Sequence, residues 1–385
     1  MVGQQNGFDR RVLGSLEAAP SRIPVVLGGC GTGRTVLLQR LRERLGPTTA
    51  QYIDVERCAT TPERFLQAVV SASPLASQGG AERQPASARE AFDMLLAFLD
   101  TARAPGGEPC TFMLDEVLEL RTFESFPGLR HVLRDLLEAL AASANHFVLT
   151  TRYVARAHRL LRDTTSRFEV IHIPALLPAD VTDLLAPHFD GYEQMPTDDR
   201  DYLARAVQAL TDGRAVYVHA IGETMADMGR TSDPVSALTA LLSPDGALNH
   251  WCRFCYELRL HRARGYGALK AILDVLAEEE PLTLTEISHR LHRTPGSTKD
   301  YLSWLEDVDL VTSRQKRYSF TDPVLRLWVR LHCHPVPPSD ELVAREVQQY
   351  ALGRLPHPEA APALAYAGVD ATADERKSWG IIEID

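Results

Sequence analysis

The sequence predicts an α/β fold: a parallel sheet covered by helices, then a helical region, then a small unit of three helices and a hairpin. Three observations predict it. Five short apolar runs alternate with longer amphipathic stretches between Ile23 and Ile173, the pattern of strands buried on both faces and connected by helices. Strand signals then stop, and helical spacing holds over residues 178–242. Residues 267–334 give three apolar helical faces followed by two short β-prone runs around a basic turn.

Taken in order, the strand runs are residues 23–27, 52–55, 111–114, 147–150 and 170–173. A helix is expected to begin at Thr61, with Pro62 at the first helical position, where its missing N–H is not needed. Residues 71–88, rich in Ser, Ala, Gly and Gln, read as a mobile surface loop. In the helical region, Gly213 and the run Thr231-Ser232-Asp233-Pro234 mark breaks. The last unit has Leu269, Ile272, Leu273 and Leu276 on one face, a short helix carrying Ile287 and Leu291 with Thr285 as its expected cap, and a third face of Tyr301, Trp304, Leu305 and Val308. Beyond Pro335 one helix is expected near residues 341–350. The expected domains are 1–175, 176–266, 267–335 and a tail, 336–385.

With 385 residues, two or three domains are expected. A hydrophobic share of 45% and a charged share of 24% exclude a wholly disordered, collagenous or coiled-coil chain. The 41 Lys+Arg against 51 Asp+Glu leave a net charge of −10, which argues against coating nucleic acid by charge alone. No stretch approaches the ~18 apolar residues of a membrane helix, and residues 1–11 lack a signal-like basic and apolar order. Six scattered cysteines form no disulfide framework. A cytoplasmic protein without membrane contact is expected.

Directly after the first strand comes Gly28-Gly29-Cys30-Gly31-Thr32-Gly33-Arg34-Thr35, leading through Val36 into a helix. This is P-loop spacing with Arg in the Lys position. Glycines let successive N–H groups turn inward, and the helix that follows adds its positive end, so a phosphate meets prearranged donors. Thr35 is the expected Mg²⁺ ligand and Arg34 the contact to the β- and γ-phosphates. A guanidinium is bulkier and forked, so nucleotide binding is the firmer expectation and fast hydrolysis the weaker one.

The third strand ends Phe112-Met113-Leu114-Asp115-Glu116, a Walker B pattern about eighty residues after the loop. Asp115 is the second candidate for Mg²⁺ and Glu116 the candidate that orients or deprotonates water. At the tip of the fourth strand, Thr151 and Arg152 are sensor candidates; plain solvation of a strand end is the alternative. Arg167 is a candidate for a neighbouring subunit's nucleotide or a solvated helix-end Arg, and Arg214 a candidate over the phosphates.

These residues together resemble the AAA+ P-loop ATPases, in particular the archaeal-type ATPases related to the STAND group and to origin-recognition initiators. The resemblance runs over about residues 8–330. It rests on the loop, residues 112–116, residues 149–152 and the closing run Tyr318-Ser319-Phe320-Thr321-Asp322-Pro323 with Trp328, which is similar to the end of that family's winged helices. It implies a sheet order 5-1-4-3-2, a helical lid, a C-terminal winged helix, and an adenine bordered by the segment from Phe8 to Arg11. It implies an ATP/ADP and Mg²⁺ switch that forms homo-oligomers. Arg34 departs from the family's Lys, and no further output domain follows.

Two alternatives stay open: a DNA-binding initiator or transposition-type regulator, and a non-hydrolysing nucleotide-binding scaffold. For DNA the wing residues Arg314, Lys316 and Arg317 are the candidates, yet nine Lys+Arg against ten Asp+Glu in residues 267–334 make a weak basic footprint. Cys252 and Cys255 read as buried helix-face thiols rather than zinc ligands. Cys30 is open to alkylation or oxidation, with nothing adjacent in sequence to mark it as a nucleophile.

Overall fold

Side chains of successive strand residues point to opposite faces, and β1 (Ile23–Leu27) shows the result: Val26 belongs to one core and Val25 and Leu27 to the other. The computed structural model describes residues 4–75, 84–162, 164–189, 195–229, 233–261, 263 and 265–356. The expected loop at 71–88 therefore lies partly outside the described residues, as do residues 231 and 232 of the expected turn and the tail beyond 356.

The chain opens with α1 (Gln4–Glu17), β1, α2 (Arg34–Leu45), β2 (Ala50–Asp54), α3 (Val55–Cys58), α4 (Pro62–Ser71), α5 (Ala88–Thr101) and β3 (Thr111–Asp115). A 3₁₀ segment (Val117–Ser125), α6 (Val132–Ala142), β4 (His146–Thr151), α7 (Val154–Leu161) and β5 (Phe168–His172) complete the first part. The five strands form one parallel sheet in the order β2-β3-β4-β1-β5, the order expected. Met113, Val148 and Ile171 join Val26 on the α1 and α2 side; Phe112, Leu114, Phe147 and Leu149 face the other way. Helix starts follow local chemistry. Thr61 accepts from the Arg64 N–H with Pro62 at the first position, and Ser87 accepts from Glu90 N–H.

The helical region holds α8 (Pro178–Leu185), α9 (Thr197–Thr211), α10 (Ala215–Met228), α11 (Pro234–Leu242) and α12 (Ala247–His261). The last third begins with α13 (Tyr266–Glu278), β6 (Leu282–Thr283), α14 (Leu284–Arg290) and α15 (Pro295–Asp307). It continues with β7 (Val311–Arg314), β8 (Arg317–Phe320), α16 (Pro323–His332) and α17 (Asp340–Leu352). Strands β6, β8 and β7 make a small antiparallel sheet. β6 was not expected: two residues carry too little pattern to read.

One local expectation is corrected. The cap of α14 is Thr283, not Thr285, because Glu286 stands three residues after Thr283 and returns a hydrogen bond to its N–H, closing a reciprocal box. The hairpin turn places Gln315 and Lys316 at φ of 52° and 63°, a left-handed pair that matches the twist of its flanking strands. The described residues up to Leu355 form one compact unit. Among the described residues, no helix is long and apolar enough to cross a membrane.

Candidate functional site

Three parallel strands, β1, β3 and β4, end side by side, and the residues just past their tips line a cleft of about 670 Å³, within the usual range for a ligand site. The glycine loop connects β1 to α2. Gly31 and Gly33 sit at φ of 77° and 93°, conformations that cost any other residue energy, and Gly33 is the residue from which α2 starts. A Cβ on Gly31 would lie 2.2 Å from Val216 Cγ1, so only glycine lets α10 approach this closely. The loop is braced by Thr32, whose hydroxyl donates to the Gly29 carbonyl at 3.0 Å.

Arg34 turns back into the loop. Its Nη1 donates to the carbonyls of Gly28 and, at 2.5 Å, Gly29, while Nη2 meets Glu116 Oε1 at 2.5 Å. Glu116, itself at φ 57°, is held from the far side by Arg152: Nε lies 3.0 Å from Oε1 and the backbone N–H donates to Oε2 at 3.0 Å. Arg152 also pairs with Glu56. Burial pushes the Glu116 carboxyl up, yet the Arg34 and Arg152 charges and the Arg152 hydrogen bonds outweigh it and hold it below its ordinary value.

Asp115 is ringed by hydroxyls. Thr35 donates to Oδ2 at 2.7 Å, Tyr52 donates to the same oxygen at 2.9 Å, and Thr150 donates to Oδ1. Burial and the Asp115 charge keep the Tyr52 phenol protonated by pushing its pKa up. Thr150 Oγ1 also accepts from the Glu116 N–H at 3.1 Å, so one hydroxyl spans both acidic residues. The donor set suits the groups the sequence implies. Thr35 and Asp115 offer oxygens, the ligands a hard dication such as Mg²⁺ takes. The Arg34 Nε is buried without a hydrogen-bond partner, and a Cβ at Gly33, the residue from which α2 starts and where an anion is expected, would meet nothing within 4 Å.

The other sequence candidates are placed as follows. Phe8 and Val36 line the cleft, whereas Arg11 lies outside it, 3.5 Å from Glu169. Thr151 is buried with its hydroxyl accepting from the Tyr153 N–H at 3.2 Å; at this strand end it is the preceding Thr150 that reaches the acids. Arg167 donates to the carbonyls of Leu140, Ala141, Ser143 and Asn145, tying the end of α6 to β5. Arg214 does not line the cleft. It donates to the Cys30 carbonyl at 3.1 Å and the Thr321 carbonyl at 2.6 Å and stands 3.4 Å from Asp322, joining the loop to the start of α16. Arg314 and Lys316 are exposed at the hairpin tip, while Arg317 donates to the Pro281 carbonyl at 3.0 Å.

Sequence reasoning missed Thr150, Tyr52 and Glu56, and it missed that α12 walls the cleft with Trp251, Phe254 and Cys255. Register was the available signal for Thr150: β3 and β4 pair Leu114 with Leu149, so the next residues, Asp115 and Thr150, end level.

Comparison with known proteins places this architecture. The chain is similar to a solved Walker-type ATPase of Pyrococcus abyssi, with 18% identity, a TM-score of 0.63, and coverage of 85% of this chain and 95% of that one. It is also similar to the Orc1 protein of Aeropyrum pernix solved with DNA (16% identity, TM-score 0.44, 91% and 93% covered) and to a RuvB mutant of Thermotoga maritima (13%, 0.42, 82% and 92%). The fold assignment rests on the first of these and on the observed strand order. The fold is that of this Walker-type ATPase structure, with a five-stranded parallel sheet in the order β2-β3-β4-β1-β5. No protein-family model matches the chain, and no curated protein matches it.

Proposed function

We propose that the chain is an ATP-binding switch of the AAA+/STAND-like kind that hydrolyses ATP slowly with Mg²⁺ and whose nucleotide state repositions a C-terminal winged helix. The observation that carries this is the convergence, in one cleft, of a glycine loop at the start of α2, Thr35 with Asp115, and Glu116. Mg²⁺ would be held by Thr35 and Asp115 and would supply charge screening on the phosphates. Thr150 and Tyr52 fix the Asp115 carboxylate in place for that task. Glu116 would orient the attacking water, and the loop N–H groups together with Arg34 would hold the phosphates.

Slowness follows from charge. A carboxylate gripped by two guanidiniums and held below its ordinary pKa is a weak base. The same grip favours a second reading, a scaffold that binds nucleotide without turning it over; ATP recovered intact from purified protein would support that reading. The exposed Arg314 and Lys316 leave DNA contact as part of the proposal, tested by retention on duplex DNA that disappears when Arg314, Lys316 and Arg317 are changed to Glu. Cytoplasmic residence and homo-oligomer formation belong to the same reading, and molecular mass in solution with ADP and with a non-hydrolysable ATP analogue tests the latter.

The deciding experiment titrates a fluorescent ATP analogue with and without Mg²⁺. Wild type is expected to bind in a Mg²⁺-dependent way, and Thr35→Ala to lose that dependence. Equal affinity in both proteins under both conditions overturns the assignment.

A further inference from the structure

The glycine loop carries a thiol, Cys30, that the proposed reaction does not use. It is buried, and it lines the cleft together with Cys255 from α12, which is buried as well. Residues more than two hundred positions apart thus place two buried sulfurs on one cavity, where each bears on the other's ionisation. Four residues after Cys255, and therefore on the same face of α12, stands Arg259. This guanidinium is wholly enclosed, favours a thiolate at Cys30 by its charge, and donates to the Asp309 carbonyl at 2.8 Å. Its Nε has no hydrogen-bond partner.

Such surroundings favour a thiolate at Cys30. The Cys255 thiol draws its pKa down, burial opposes, and the charges of Arg259 and Arg152 add to the lowering, leaving it well below the ordinary thiol value. Cys255 itself is pushed up. At the remaining cysteines burial outweighs any cation nearby: it pushes Cys58, Cys110 and Cys333 up to about 11, and Cys252 higher still. One cysteine of six is set up to react, and a second lines the same cavity, where it can resolve the product.

We propose that Cys30 and Cys255 form a reversible disulfide in response to a hydroperoxide, fastening the P-loop to α12. In the first step the Cys30 thiolate attacks one peroxide oxygen; the O–O bond breaks, Cys30 becomes a sulfenic acid, and the departing oxygen takes a proton as water or alcohol. In the second, the Cys255 sulfur attacks the Cys30 sulfur, the S–O bond breaks, and hydroxide leaves as water with the proton Cys255 gives up. Two thiols lose two electrons in all, and the peroxide gains them. A thiol reductant reverses the bond. Because the Cys30 carbonyl is already held by Arg214 and the Gly31 carbonyl by the Val216 N–H, a covalent tie on the side-chain side would leave the loop no freedom to adjust around a phosphate. That consequence, unlike the bond itself, rests on the nucleotide-binding reading.

The test exposes the full chain to hydrogen peroxide, alkylates free thiols with iodoacetamide and maps peptides without reduction. A linked pair carrying Cys30 and Cys255, abolished by dithiothreitol and unaffected by Cys252→Ser, is expected. In Cys255→Ser the sulfenic acid at Cys30 should persist and be trapped by dimedone; where that variant does not fold, the wild-type map alone decides. Recovery of Cys30 and Cys255 both alkylated, or linkage to other cysteines instead, overturns the proposal. In parallel, oxidised wild type should bind the fluorescent ATP analogue about tenfold more weakly than reduced protein, with recovery on reduction. If the linked pair forms while reduced protein binds no nucleotide at all, the P-loop reading fails and the disulfide stands.

Discussion

At Glu116 two arginines decide more than burial does. Its carboxylate is nearly enclosed, yet Arg34 and Arg152 keep it charged, so Glu116→Gln should lower ATP turnover by about 10²-fold or more while leaving analogue affinity within a few-fold. Unchanged turnover in that variant would remove Glu116 from the reaction. Arg34→Lys replaces a fork that reaches Glu116 and two carbonyls with a single ammonium; turnover is expected to rise, and a steady-state assay reads it. Asp309 supplies the pH dependence. It is partly buried, and desolvation pushes its pKa up to about 6 against the pull of Arg259 and Arg214. Below about pH 4 folded and unfolded chains both hold this proton; between about pH 4 and 6 only the folded chain keeps it, so stability falls as pH rises and levels off above, by on the order of 3 kcal/mol. Asp309→Asn keeps a residue type that tolerates its φ of 57° and should flatten that slope in denaturant midpoints measured from pH 4 to 7.

Among the elements, the parallel strands were the most legible part because each is a short apolar-rich run, and four of the five end at a polar tip. Glycine spacing placed the loop, and the Asp115-Glu116 tip placed the acids, since local chemistry alone requires those residue types there. What the sequence did not reveal is contact between tips: that Thr150 rather than Thr151 serves Asp115, or that Tyr52 reaches across from β2, depends on register and side-chain reach. Helix caps follow the same rule. Thr283 and Thr285 look alike in a string, and only the return bond from Glu286 separates them; Thr283→Ala should therefore cost about 1 kcal/mol and Thr285→Ala clearly less in thermal unfolding. The approach of α10 to the loop was invisible because it depends on a missing atom. Gly31→Ala, with its Cβ aimed 2.2 Å from Val216, should lower both melting temperature and analogue affinity.

Over the molecule as a whole, Arg214 holds distant parts of one chain together. Its guanidinium touches the Cys30 carbonyl, the Thr321 carbonyl and Asp322, and Asp322 in turn accepts from Tyr217 Oη at 2.7 Å and from the first N–H groups of α16. Sequence placed this arginine over the phosphates because an Arg opening a lid helix fits that task; in the structure the nearest acid, Asp322, and two free carbonyls hold it elsewhere. Arg214→Ala leaves Asp322 buried without its cation and should cost about 3 kcal/mol, seen as earlier unfolding and faster proteolysis. A guanidinium has five N–H donors in one rigid plane, so moving it towards a new partner shifts all of them together. An anion that drew this one forward into the cleft would take it from Thr321 and Asp322, and so filling the cleft would loosen one tie between the loop and the start of α16.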